Sequence, residues 1–202
     1  MILRLTLIFL LSAISKEMLS QSFPSQRWHE GWMVTSTQDT LKGNIKYDMG
    51  ADAVQIQVED VMKTYSSRKM LFFEIFDESV DNYRQFYSLA YAVNYDYKVP
   101  ILFEVLYEGP LTLLVRESIV EETIPQIQTY AMGSYNTRQR LAYTYYFLDK
   151  KGNITLFNGK KGELTPLMGN KITLVRDFIK DNRLKTDRMR DLVRITAFYN
   201  SL

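Results

Sequence analysis

The stretch WHEGWMVTSTQDTLKGNIKYD holds the chain's single histidine, His29, and both of its tryptophans, Trp28 and Trp32. One imidazole is the minimum for a Ser–His pair, but no G-x-S-x-G elbow or other nucleophile motif accompanies it. Cysteine is absent from all 202 residues, which excludes thiolate nucleophiles, disulfides and Cys-based zinc sites. His29 therefore reads as a surface or strand-edge residue. Carboxylates are the other route to hydrolysis. Asp77, Glu78 and Asp81 cluster at the end of MLFFEIFD, and Glu104 and Glu108 are read as sharing one face of the next apolar run. A glycosidase needs two carboxylates flanking a sugar at a set separation, so two of these five would have to face each other across a cleft. Asp48, Asp52, Glu59 and Asp60 lack EF-hand spacing, and no glycine-rich phosphate cradle occurs. No catalytic residue, metal or cofactor is expected.

Aromatic and arginine side chains are more suggestive. There are 14 tyrosines, and LAYTYYFL places Tyr143, Tyr145 and Phe147 on one strand face with Tyr146 on the other. The segment before it adds Tyr130, Tyr135, Arg138 and Arg140. Tyrosine with arginine is the composition of contact surfaces, so these residues, together with Trp28 and Trp32, are the candidate partner-binding set. A deep cavity lined by Tyr143, Tyr145 and Phe147 would instead indicate a small ligand, glycan or lipid. A solid core with exposed aromatics would indicate an interaction surface.

The elements that position these residues are mostly strands. Gly31–Thr37 and Leu41–Asp48 flank a polar turn and form a hairpin. Gly43 interrupts the second strand, which marks a bulge or a close backbone approach. VQIQV alternates with period two; MLFFEIFD, VPILFEVLY and LTLLVRE follow as strands, and Asn82–Val93 is read as strand from its aromatics. Residues 118–140 show no period and are expected to be a long connection. LAYTYYFL and NITLF then flank Asp149–Gly152 as a second hairpin. After Gly159 the period changes: a short helix over Glu163–Met168, one over Ile172–Asn182 with an apolar stripe, and one over Asp187–Tyr199 capped by Thr186 or Asp187. The predicted fold is α+β and mainly antiparallel β. It is a β-sandwich or partly open β-barrel over 23–158, followed by two or three short C-terminal helices over 159–202 that pack on it.

Residues 1–22 read as a secretory signal peptide. Arg4 precedes the apolar LTLIFLLSAI, with small residues at Ser15, Ser20 and Ser22 and cleavage expected before Gln21 or Phe23. No other run approaches the roughly 18 apolar residues of a membrane-spanning helix. The formal net charge of +2 argues against nucleic acid as a partner. It is unevenly spread, with 12 Lys+Arg against 6 Asp+Glu over 149–202 and 11 against 16 over 21–148. The simplest origin is a basic tail docked on an acidic body.

The signal peptide, DTLKGNIKYD, MLFFEIFD, EVLYEGPLTLLVRE, YYFLDKKGNITLF and the closing FYNSL together resemble an uncharacterised family of exported, signal-peptide-bearing proteins of Bacteroidota-type bacteria. The resemblance implies an exported protein, periplasmic, outer-membrane-associated or secreted, and brings no assigned activity. The expectation is a non-enzymatic envelope protein that binds another protein or an outer-membrane component. The alternative is a glycan- or lipid-binding β domain with an internal cavity.

Overall fold

The computed structural model describes residues 23–94, 97–124 and 136–202. The expected signal segment lies outside them. Ten strands form one open antiparallel sheet: β1 (His29–Thr35), β2 (Thr40–Asp48), β3 (Ala53–Val58), β4 (Val61–Ser66), β5 (Met70–Asp77), β6 (Asn82–Asn94), β7 (Tyr97–Tyr107), β8 (Leu111–Ile124), β9 (Asn136–Asp149) and β10 (Ile154–Phe157). Their order is β10-β9-β8-β7-β6-β5-β1-β2-β3-β4. Of the two expected architectures, the single continuous sheet corresponds to the open one. Helices α1 (Leu164–Met168), α2 (Ile172–Asp181) and α3 (Met189–Ser201) follow.

The β1–β2 turn is closed by its own side chains: Thr37 Oγ1 donates to Asp39, and the Asp39 N–H donates to Thr35 Oγ1. Gly43 is not in a bulge. It lies directly opposite Gly31, and a Cβ at either position would sit 2.1–2.2 Å from the carbonyl oxygen of Gln57 or Glu74. Only glycine permits strands that close.

The sheet curls on itself. Tyr47 of β2 and Glu117 of β8 are hydrogen-bonded at 2.6 Å although five strand spacings separate their strands. In a flat sheet that is about 24 Å. The inside of the curl is packed by Met33, Ile45, Tyr47, Val54, Ile56, Phe73, Ile75 and Phe86, with Phe73 and Phe86 stacked at 4.5 Å. A second core forms on the same face further along, where Leu113, Val115, Tyr145, Phe147 and Phe157 meet Leu164, Val175, Ile179, Leu192 and Ile195 of the helical segment.

The tail thus docks through its apolar stripes. Among the described residues no ion pair joins a cation of 159–202 to a strand carboxylate, so the direct contact is apolar. Asn200 adds a specific tie, its amide accepting from Leu111 N at 3.0 Å and donating to Leu111 O at 2.8 Å. Neither Thr186 nor Asp187 caps α3. Buried Thr186 donates to Gly159 O, and Asp191 in the first turn accepts from Lys185 N instead.

Two further corrections concern the strands. Much of 118–140 is strand, because β8 and β9 continue pairing out to Ile124 and Asn136. β7 and β8, by contrast, pair only from Glu104–Val115 to Tyr107–Leu113, and beyond Glu104 and Val115 they separate. The reason lies in β7. Pro100 has no N–H to donate, and its carbonyl accepts from Ser67 Oγ. Leu102 N donates to Asp52, and Leu102 O accepts from Arg116. With these groups satisfied by side chains, β7 has no edge left to offer. The β8–β9 ribbon leaves the sheet as a two-stranded arm.

Candidate functional site

Charged residues meet where the arm begins. Arg84 of β6 is in phase with inward-facing Phe86, Glu104 of β7 with Leu102, and Glu117 of β8 with Leu113 and Val115. Asp77 ends β5. Period-two alternation therefore drives one guanidinium and three carboxylates to the inside of the curl. Their side chains are 11% (Arg84), 3% (Asp77), 8% (Glu104) and 2% (Glu117) exposed.

All five guanidinium N–H groups of Arg84 are used. Nε and Nη2 donate to the two oxygens of Glu104 at 2.8 and 2.7 Å, and Nη2 also donates to Glu117 at 2.9 Å. Nη1 donates to Asp77 at 3.0 Å and to the Tyr47 hydroxyl at 2.9 Å. The Tyr47 hydroxyl in turn donates to Glu117. Burial pushes the Tyr47 phenol far above its ordinary range, so it remains a donor. Burial alone would lower Arg84, but the hydrogen bonds and charge of Glu104, with Tyr47 and Glu117, hold it above its ordinary value. For Asp77, burial is outweighed by hydrogen bonds from Ser79 and Arg84, and its carboxyl titrates below the ordinary 3.8.

This geometry answers the carboxylate expectation. Asp77 and Glu104 do converge, at the base of a pocket of about 300 Å3 that also involves Tyr143 and Met189. The guanidinium, however, stands between them, in the place a sugar ring would need. Glu108 lies past the end of β7, and a bulge between Val105 and Tyr107 breaks its alternation with Glu104. Among the described residues no three acidic or histidine side chains are arranged to hold a metal ion. The cluster fixes strands; it has neither a free base nor a free electrophile to act with.

Comparison with family models, curated proteins and solved structures finds no match.

A second set of contacts grips β8 on its other face. Arg116, one residue before Glu117, donates to Asp52 at 2.7 Å and to the carbonyls of Leu102 and Met49. Its guanidinium also lies over the Phe103 ring at 5.8 Å. Two adjacent residues thus clamp the root of the arm from both faces.

The candidate contact residues do not form one patch. Arg138 and Arg140 lie exposed on the arm, pairing with Glu122 at 3.1 and 3.7 Å. Tyr143, 42% exposed, stands at the arm's base and borders the Asp77–Glu104 pocket. Trp28, equally exposed, borders a neighbouring pocket of about 290 Å3 that shares Asp77 and Ser79. Trp32 is half-buried on the outer face, its indole N–H donating to Glu74 and its ring edge-on to Phe72. Tyr145 is not available for contact, because it belongs to the core between sheet and helices with Phe147. Both rings pack against core neighbours, Phe147 meeting Phe157 edge-on at 5.4 Å. Tyr130 and Tyr135 lie outside the described residues. His29 is buried rather than exposed, and its Nε2 is 2.8 Å from Pro24 O, tethering the N-terminal segment.

Sequence reasoning missed Arg84, Glu117, Arg116 and Tyr47. A signal was present at two of the acids: Glu104 and Glu117 occupy core-phase positions in otherwise apolar alternation, which a charge takes only when paired, whereas Arg84 shares its phase with Asn82 and Ser88.

Proposed function

We propose that the protein is an exported, non-enzymatic envelope protein that binds another protein or an outer-membrane component through the β8–β9 arm. The observation that carries this is the arm itself. From Arg116–Thr144 to Ile124–Asn136 nine residue pairs run on with no third strand beside them among the described residues. That is a ribbon of about 30 Å. A two-stranded ribbon is marginally stable alone and presents unpaired backbone on its edges, which is the usual substrate for strand addition by a partner. Its exposed Glu121, Glu122, Arg138, Gln139 and Arg140 keep it from being covered by the chain's own core, and Tyr143 adds an aromatic anchor at its base. A solid core beneath, with clamps at the root, supports display over catalysis. Location in the periplasm or at the outer membrane belongs to the same reading and is supported by the apolar leader-like start of the sequence.

The test is capture from envelope extract with the immobilised protein, beside Arg138→Ala/Arg140→Ala and Tyr143→Ala variants. A specific partner retained by the parent and lost by the variants is the expected result. A monomeric protein that retains nothing specific sinks the proposal.

A further inference from the structure

At the opposite end of β8 and β9 from the arm lies a pocket of about 390 Å3, between the Asp149–Asn153 turn, Pro110 and the end of α3. Three lysines border it, Lys150, Lys151 and Lys171, and among the described residues none of them is in an ion pair. Lys171 is placed by its ammonium resting over the Tyr199 ring at 5.2 Å. Lys150 and Lys151 project from a turn whose backbone is fixed by Asp149. That carboxylate accepts from Lys151 N, Asn153 N and Asn153 Nδ2 at 2.8–2.9 Å. The wall opposite is held by the Asn200–Leu111 tie.

The charge count selects the ligand. Three ammonium groups and the one carboxylate bordering the pocket leave +2. A phosphomonoester carries about −1.5 to −2 at neutral pH, matching that excess. A carboxylate or a phosphodiester carries a single charge and leaves the lysines half-neutralised. Lysine also suits phosphate as a point charge without requiring planar, bidentate geometry. We propose that this pocket binds a phosphomonoester group. The site is independent of the arm and of the partner-binding function argued from it.

The competing explanation is that the lysines only complement the carbonyl end of α3, which finishes at Ser201. Calorimetric titration of the full chain with inorganic phosphate at constant ionic strength separates the two, using Lys150→Gln/Lys151→Gln as the variant. These side chains are exposed, so folding is preserved. Saturable binding is expected, weakened about tenfold or more in the variant by the loss of two charge-assisted contacts. Phosphatidylcholine vesicles doped with phosphatidic acid or with phosphatidylglycerol identify the source. Co-sedimentation with phosphatidic acid alone assigns a lipid phosphomonoester, and binding of free phosphate without vesicle binding assigns a soluble one. No saturable binding, or equal binding by parent and variant, overturns the proposal. So does a variant that melts lower in chloride while neither protein responds to phosphate, which assigns the lysines to the helix end.

Discussion

Arg84→Met is the most informative perturbation of this protein. Methionine fills similar volume but removes all five donors, leaving Asp77, Glu104 and Glu117 buried without a counter-charge. Removing one partner of a buried pair costs about 3–5 kcal/mol, and here three carboxylates lose theirs. Against a typical total of about 5–15 kcal/mol, the variant should be near or past its folding limit at neutral pH. The pH dependence is the sharper signature. In the parent, the Asp77 carboxyl titrates below its ordinary 3.8 in the folded state. Its contribution is complete above that value and lost as pH falls through the lower, folded one. In the variant the sign reverses. Carboxylates stranded in a low-dielectric interior have raised folded pKa values, so their penalty shrinks as pH falls and they take up protons. Urea unfolding followed by tryptophan fluorescence, at neutral pH and near pH 5, measures both effects. The difference between parent and variant should narrow on acidification. A loss of under about 1 kcal/mol at neutral pH would place the cluster among surface-type ion pairs and refute the reasoning. A difference that does not change with pH would do the same.

Three further outcomes follow from the packing. Leu192→Asp puts an unpaired charge where α3 meets the sheet and should destabilise by more than about 3 kcal/mol; an unchanged melting temperature would mean that the tail is not docked. Gly31→Ala places a methyl 2.2 Å from Glu74 O and should cost at least about 2 kcal/mol, read by thermal melting, whereas the same change at open Gly162 should cost little. Asp52→Ala frees the Leu102 N–H and one donor of Arg116, so hydrogen exchange should accelerate at Leu102 and along β8 from Arg116 with little change in β1–β2; uniform protection would refute the latch.

How much of this was legible depended on the distance over which each feature is specified. The TQDT turn, the Asp149–Gly152 turn and the helical stripes are set by neighbours a few residues apart, and each was readable. β4 was not, because VMKTYS is an edge strand largely exposed on both faces and has no alternation to display. The arm was hidden for the same reason: both faces of 118–123 and 137–140 meet water, so polar residues occur at every phase. Arg84's partners come from β2, β5, β7 and β8, and Tyr47 and Glu117 are 70 residues apart. Which acids would gather was therefore a matter of strand order, which no local pattern encodes. Only Glu104 and Glu117, in phase with Leu102 and with Leu113 and Val115, carried a local mark of the burial to come.

The two clamps explain why the protein uses charge where apolar packing would have sufficed for stability. A buried ionic network adds little net free energy over a well-packed apolar one, but its donors and acceptors have fixed directions. Glu117 can meet Tyr47 and Arg84 only if β8 sits in one register against the curl, and Arg116 can meet Asp52 and Leu102 only if β7 and β8 part at that residue. A slip of one residue would exchange the faces and break both sets at once. Apolar side chains would tolerate such a slip near the arm's root, where the sheet has already lost its lateral neighbour. The clamps therefore set where the ribbon starts and in which direction it leaves. Those are the properties a binding arm needs and a mere stabilising contact does not.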